Sequence, residues 1–373
     1  MRVLLLHNRY RAEGGEERAV ASIAALLGAR GHEVELLERS SDRISDARAA
    51  RGLLLGGLDP GQVAAAVRRL RADVVHAHNV HPLFGWRALA AARAAGARTV
   101  LHLHNFRLFC AIAVAYRDGK PCFRCHGANT LAGVRLRCRG PLAEAAAYGV
   151  GLHRQQPRLV ANADRVIVLS EATGARMREL GLPAQRTHVL GNFVAADRFA
   201  SGSRADQGSY ALAVGRLVEY KGFDTAIAAA RAAAVPLVIA GEGPDEPRLR
   251  ALAADGDVRF AGWLDCGQLA RLRAGAGAML VPSRCEEACP YTALDAIADG
   301  VPVIASDRGG IPERLPGDAV VAAADPRAWA AALAELWRAP ALRRERGERA
   351  LGLARALLGE DRYYDQLMRI YAG

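Results

Sequence analysis

Glu287 and Asp295 are two carboxylates spaced so that one strand–loop–helix corner would carry both. The apolar run Ala278-Met279-Leu280-Val281 reads as a buried parallel strand. Pro290 is suited to open a helix, because a first-turn residue needs no N–H donor. Glu287 then falls in the loop and Asp295 about a turn into the helix. Carboxylates accept hydrogen bonds from sugar or ribose hydroxyls. The loop residues Ala288 and Cys289 lead to Tyr291 and Thr292, whose free helix-start amides suit phosphate. The competing reading makes Glu287 a solvated loop acid and Asp295 a partner of the helix dipole. A second constellation is Gly215-Arg216-Leu217-Val218-Glu219-Tyr220-Lys221-Gly222, between a strand at 211–214 and a helix at 223–230. Its two cations converge near a helix start, which is a diphosphate site in physical terms. Lysine is scarce here: Lys120 and Lys221 are the two in the chain, against an arginine-rich background.

Other residue types invite chemistry less directly. Cys110, Cys122, Cys125 and Cys138 have the spacing C-x11-C-x2-C-x12-C, which suits a tetrahedral zinc held by four thiolates. An iron–sulfur centre and free buried thiols remain alternatives, and His126 is a substitute ligand. The segment lacks apolar periodicity and would need a staple. His76, His78 and His81 have no carboxylate or cysteine nearby to complete a metal set, so they read as structural or cleft-lining. The pair Gly14-Gly15 follows the first strand but is not the G-x-G-x-x-G of dinucleotide binders, which argues against a Rossmann oxidoreductase. Cys289, close to a helix start, reads as a somewhat acidic thiol.

The elements that must position these groups alternate strand and helix. Strands are expected at 2–7, 33–37, 72–77, around 99–103, at 166–169 and at 187–190. A second series is expected at 211–214, 236–240, 258–261, 278–281 and 300–306, with helices between. At 373 residues the chain allows roughly two domains. Residues 200–208 read as a linker by composition. There is no run of about 18 apolar residues and no signal peptide pattern, so a cytoplasmic protein with reduced thiols is expected. The net charge is 50 − 39 = +11, of which residues 1–193 carry 28 − 15 = +13. A basic first half suits an acidic or lipid-phosphate acceptor, or peripheral contact with an anionic membrane at its inner face. The arginine-bearing stretch 135–160 is either such a surface or a solvated helix face. A basic zinc-bearing nucleic-acid binder is the alternative class, though it would leave the acid pair idle.

Taken together, the motifs resemble those of the family 4 glycosyltransferases, which have the GT-B fold. The resemblance rests on the acid-x7-acid pattern from Glu287 to Asp295, with Asp where the family usually has Glu. It also rests on G-R-L-x-x-x-K-G at 215–222, G-x-G-P at 241–244 and Gly309-Gly310-Ile311-Pro312-Glu313. It implies an α/β chain of two Rossmann-like domains facing across a cleft, with a C-terminal helix crossing back to the first. The first domain would span 1–195, with the cysteine-bearing insertion at 105–140 and the helix 359–373, and would bind the acceptor. The second, 205–358, would bind a nucleoside-diphosphate sugar.

The implied activity is retaining glycosyl transfer to an acceptor hydroxyl of unknown identity, with no metal or other cofactor for catalysis and no nucleic-acid partner. The resemblance implies that Arg216 and Lys221 stabilise the departing diphosphate, that Glu287 holds sugar hydroxyls and that Asp295 holds the ribose. His104, at the end of a strand, would face the donor sugar. Gly14 and Gly15 would lie along the donor phosphates or the acceptor. Gly215 and Gly243 would line the donor, and Trp263 and Leu264 would lie by the base. Zinc at the four cysteines would be structural.

Overall fold

The computed structural model describes residues 1–10, 14–42 and 44–373. Residues 11–13, in the middle of the glycine-bearing loop expected between Asn8 and Glu17, lie outside the described residues. The chain divides into two compact units. One comprises Met1–Ala115, Cys122–Gly191 and Tyr363–Gly373, and the other Tyr116–Pro121 and Asn192–Arg362.

The first unit is built on strands β1 (Arg2–Arg9), β2 (Glu33–Ser40), β3 (Val74–Ala77) and β4 (Arg98–Leu103). A small hairpin follows, β5 (Tyr116–Arg117) and β6 (Lys120–Pro121), which groups with the second unit. The insertion expected to belong wholly to the first domain is therefore split. Strands β7 (Arg165–Val168) and β8 (Thr187–Val189) complete a six-stranded parallel sheet in the order β2-β1-β3-β4-β7-β8. The central strands are apolar on both faces because helices cover both sides. Leu4, Leu6, Val75, Leu101 and Val166 share a core with Val63, Val67 and Leu89 from the helices Pro60–Leu70 and Gly85–Ala94.

The second unit runs β9 (Tyr210–Val214), β10 (Leu237–Ala240), β11 (Val258–Gly262), β12 (Ala276–Val281), β13 (Val303–Ser306) and β14 (Val320–Val321). Its order, β11-β10-β9-β12-β13-β14, is the 3-2-1-4-5-6 order of dinucleotide-binding folds. Ala211, Ala213, Ile239 and Leu280 pack against Trp329 and Leu333 of the helix Pro326–Arg338. In both units the strand order reverses beside the first strand, between β1 and β3 and between β9 and β12. Such switch points open a crevice at the carboxyl ends of the strands, where ligands bind.

Two differences from the sequence reading have physical causes. Residues 200–208 are linker-like in composition yet tied down within the second unit. Ser203 Oγ donates to the Gly300 carbonyl at 2.6 Å, and the buried Arg343 donates to the carbonyls of Ala205 and Asp206. Arg343 belongs to the helix Pro340–Leu357, whose hydrophobic pattern is too weak to predict it. The strand expected from 300 begins only at Val303, because Gly300 turns the chain at φ 70°.

Candidate active site

In the second unit the motif residues gather at the carboxyl ends of β9 and β12. The chain leaves β9 through Gly215, makes a 3-10 turn at Glu219–Lys221 and enters the helix Phe223–Ala233. Between the turn and the helix stands Gly222 at φ 72°, where a Cβ would come within 2.0 Å of the Pro282 carbonyl oxygen. Only glycine lets these two loops touch. The contact continues as backbone bonding, with Arg284 N donating to the Tyr220 carbonyl at 2.8 Å. Lys221 and Glu287 are thereby paired as a salt bridge, and Ser283 Oγ donates to the same Glu287 oxygen at 2.7 Å. Burial works to raise the Glu287 pKa, but the adjacent ammonium outweighs it and holds the carboxyl below its usual range. Burial likewise works to lower Lys221, and Glu287 reverses it, so the ammonium is kept charged.

The other motif residues surround this pair. The Arg216 side chain is exposed. Gly215 and Gly243 belong to loops zipped together by Leu217 N donating to the Glu242 carbonyl at 2.9 Å. The family-like turn at 309–313 supports Glu287 from behind. Gly310 N donates to the Glu287 carbonyl at 2.7 Å, and a Cβ at Gly309 would lie 2.4 Å from that oxygen. Ala288 and Cys289 are buried in the loop, and Tyr291 and Thr292 form the first turn of the helix Tyr291–Ala298, with Pro290 at its cap. The Cys289 thiol is not acidic as expected: burial pushes it up. Trp263 is 63% exposed, with Leu264 half-buried beside it.

Asp295 is 7% exposed and engages the buried Arg273, whose Nη1 lies 3.6 Å from Asp295 Oδ2 and whose Nε donates to Asp299 Oδ2 at 2.5 Å. The helix carrying Asp295 therefore presents a carboxylate already oriented by an arginine from a neighbouring helix. Ser283, Arg273 and Asp299 were missed by sequence reasoning, since nothing in the spacing links 273 to 295.

In the first unit a pocket with about 310 Å³ of empty space, partly open to solvent, lies at the ends of β1, β3 and β4. Its lining includes His104 together with Tyr10, Glu16, His78, Asn105 and Arg107. His104 shares a hydrogen bond with His78 at 2.9 Å, between Nε2 and Nδ1. His76 and His102 share another at 3.2 Å, and the free nitrogen of His76 meets the Tyr371 hydroxyl at 2.7 Å. The rings lie stacked or tilted against one another at centroid separations of 4.2–5.3 Å. Burial pushes His76, His81 and His104 down to about 3, and His78 and His102 well below the ordinary value. The imidazoles are thus neutral. Among the described residues, His76, His78 and His102 are the trio whose ligand atoms lie within 4.8 Å of one another. His76 is bonded to His102 and Tyr371, and His78 to His104.

Glu16 is the carboxylate of this pocket. Tyr10 OH donates to its Oε2 at 2.9 Å and Asn105 Nδ2 at 3.2 Å. Burial pushes its pKa up to about 7. Gly14 caps the helix Gly15–Ala29, and its amide is taken by Glu17 Oε2 at 2.9 Å, so the glycine pair begins a helix whose first turn already holds an acid. Sequence gave no signal for Glu16 as a pocket residue, because a first-turn glutamate reads as a dipole partner. The four cysteines of 110–138 form no disulfide and lie half-buried in the first unit.

Two family models match the chain. The model described as Glycosyltransferase Family 4 covers residues 13–198, and that described as Glycosyl transferases group 1 covers 208–339. The chain belongs to the family 4 glycosyltransferases. An amylovoran biosynthesis glycosyltransferase of Erwinia amylovora is 29% identical over 178 residues, 43% of this chain and 44% of that protein. A putative colanic acid biosynthesis glycosyltransferase of Salmonella typhimurium is 28% identical over 48% of this chain and 49% of its own. The chain thus matches about half the length of these curated relatives. Among solved structures, the sucrose-phosphate synthase of Thermosynechococcus elongatus superposes with TM-score 0.73 at 19% identity, covering 100% of this chain and 98% of that one. Two Rossmann-like parallel-sheet domains and a helical C-terminus make this a GT-B chain. Among the described residues no helix is long and apolar enough to cross a membrane.

Proposed function

We propose that this chain transfers a sugar from a nucleoside diphosphate to an acceptor hydroxyl with retention at the anomeric carbon, and that it does so without a divalent cation. The observation that carries the reading is the Lys221–Glu287 pair at the switch point of a 3-2-1-4-5-6 sheet, beside the N-terminus of the helix Tyr291–Ala298. Departure of the sugar leaves negative charge on the outer phosphate. Lys221, Arg216 and the amides of Tyr291 and Thr292 supply the positive potential that a metal supplies elsewhere. Donor binding exchanges the Lys221–Glu287 pair for two better matches, ammonium to diphosphate and carboxylate to sugar hydroxyls. Asp295, oriented by Arg273, accepts from the ribose diol despite the methylene it lacks relative to glutamate. Neutral His104 presents a lone pair or ring face to the developing oxocarbenium ion, and the leaving phosphate takes the acceptor's proton.

The solved Anabaena protein HepE, 17% identical with TM-score 0.67 and aligned over 100% of this chain and 99% of its own, is in complex with UDP-glucose, which supports a uridine or related donor here. The two curated relatives, named for amylovoran and colanic acid biosynthesis, support a glycan or lipid-linked acceptor, in keeping with the basic first half and peripheral contact with an anionic membrane face in the cytoplasm.

Thermal unfolding with UDP, GDP, dTDP, ADP and NAD, each with and without EDTA, tests the donor site. A ligand at 100 times its dissociation constant adds about 2.7 kcal/mol, several degrees for domains of this size. One nucleoside diphosphate should shift the midpoint equally with and without EDTA. A shift with NAD alone, or one abolished by EDTA, would overturn the reading.

A further inference from the structure

We propose that the helices Asp46–Leu55 and Leu142–Asn162, with the short helix Ala132–Arg135, form one outward face of the first unit that docks on an anionic lipid bilayer beside the pocket. The proposal rests on the reading of a lipid-linked acceptor and deepens it, by naming the surface that would meet the lipid.

The three helices pack side by side. Gly149 and Gly151 of the long helix stand about 200° apart around its axis, on nearly opposite flanks. A Cβ at Gly149 would collide with Val134 Cγ2, and one at Gly151 would press on Leu53 Cβ at 3.0 Å. Side chains lock both contacts. Thr130 Oγ1 donates to the Gly149 carbonyl at 2.7 Å, and Gln155 Nε2 to the Leu53 carbonyl at 2.6 Å. Leu152 and Leu159 turn inward and are fully buried. The opposite side of the long helix carries Ala146, Ala147 and Val150, half-buried, then Arg154 and Arg158, exposed.

This outward face is apolar where water would favour polar side chains. Among the described residues eight large hydrophobic side chains are exposed, and four of them, Leu54, Leu55, Leu131 and Leu142, belong to it. Exposed leucines scattered singly need no explanation, whereas a cluster does. Of the triplet at 53–55, Leu53 is buried in the fold, while Leu54 and Leu55 are 38% and 47% exposed.

Cations ring the leucines. Residues 46–55 and 131–158 hold seven arginines against two acids. Arg139 is bonded to Glu144 at 2.7 Å, and Arg48 lies 3.9 Å from Asp59. Arg51, Arg135, Arg137 and Arg154 are exposed and make no ion pair among the described residues. Leucines with arginines around them are the composition of a surface that lies at the headgroup level of a bilayer. Nucleic acid would use the arginines and leave the leucines idle. A second copy would set arginine against arginine. An anionic bilayer uses both sets.

The face also borders the pocket. Leu159 of the long helix lines it, as do Val80 and His81. A Cβ at Gly52 would lie 2.6 Å from the carbonyl oxygen of Pro82, so the helix Asp46–Leu55 touches the loop that carries those two residues. A hydroxyl borne on a lipid would have about 10 Å to cross, the width of one helix.

The test is co-sedimentation of the purified protein with vesicles of phosphatidylcholine, alone or with about 30% phosphatidylglycerol. Binding should require the anionic lipid and weaken as salt rises. Arg135→Gln with Arg137→Gln should lower it about tenfold or more. Leu54→Ser with Leu55→Ser should lower it about as far with every arginine kept. Leu252→Ser, at an exposed site of the second unit, should bind as wild type does. If either pair variant does not fold, Leu142→Ser alone, at a side chain 55% exposed, carries the comparison. Binding is measured without donor or turnover, so its failure is separate from a failure of the nucleotide test above. No binding to anionic vesicles, an equal loss in Leu252→Ser, binding untouched by the pair variants, an oligonucleotide that displaces the vesicles, or a dimer that the leucine variants dissolve would overturn it.

Discussion

At the end of β12, Lys221 and Glu287 are both charged and satisfy one another. At the ends of β3 and β4, five buried histidines are neutral and Glu16 keeps its proton up to about pH 7. Both places are strand-end crevices at the switch point of a parallel sheet, yet one stores charge and the other suppresses it. The difference follows from partners. Lys221 and Glu287 find opposite charge and a hydroxyl within reach, whereas the imidazoles face chiefly one another, and a second positive ring would be repelled as well as desolvated. The first arrangement is ready to receive a dianion. The second is ready to receive uncharged polar groups such as hydroxyls.

Acid should separate the two most sharply. A histidine whose pKa is depressed in the folded state contributes stability that is present above the unfolded value near 6.5 and lost as pH falls below it. Each buried imidazole then costs about 1.4 kcal/mol per pH unit. Several acting together should open the first unit near pH 5 while the second stays closed. Hydrogen exchange at Val74–Ala77 and Arg98–Leu103 should accelerate steeply on acidification, against little change at Tyr210–Val214. Equal acceleration in both units would erase the contrast.

On the charged side, Lys221→Ala should lower turnover by about 10²–10³-fold, the usual loss when one preorganised stabiliser of developing charge is removed. The unfolding midpoint should move by only a few degrees, because Ser283 still bonds Glu287. Unchanged kinetics would detach the pair from the reaction.

The smallest effect concerns Glu16. A carboxyl raised from 4.5 to about 7 on folding makes the folded state the better proton binder, so stability declines as pH rises through that window. The decline is about 3 kcal/mol at most, opposite in sign to the histidine effect. Glu16→Gln removes the decline, so the variant should gain on wild type between pH 5 and 7.5 in chemical denaturation. A constant difference across that range would show Glu16 to be ionised throughout.

How far each region could be read beforehand tracks how local it is. Gly215 to Gly222 lies within one strand–helix connection, and Glu287 to Asp295 within another, so spacing alone brings their residues together. The parallel sheets followed from apolar runs and their spacing. The first-unit pocket draws Tyr10, Glu16, His78 and Asn105 from three separate connections, and no periodicity relates them. Arg273 reaches Asp295 from another helix, which spacing could not reveal. Residues 200–208 misled because small polar residues suit both a free linker and a segment whose backbone is gripped by Arg343.

Tyr371, whose hydroxyl meets His76, lies in the segment Tyr363–Gly373 that completes the first unit. Arg98 donates to the Tyr371 carbonyl and Arg165 to that of Gly373. During synthesis nearly all of the second unit, Asn192–Arg362, must emerge before this segment does. The first unit is therefore translated early but finished late, and its most buried histidine waits for a hydrogen-bond partner 295 residues downstream. A ribosome stalled anywhere in the second half would carry a first unit whose inner strands still lack their last covering segment, the kind of surface that chaperones hold.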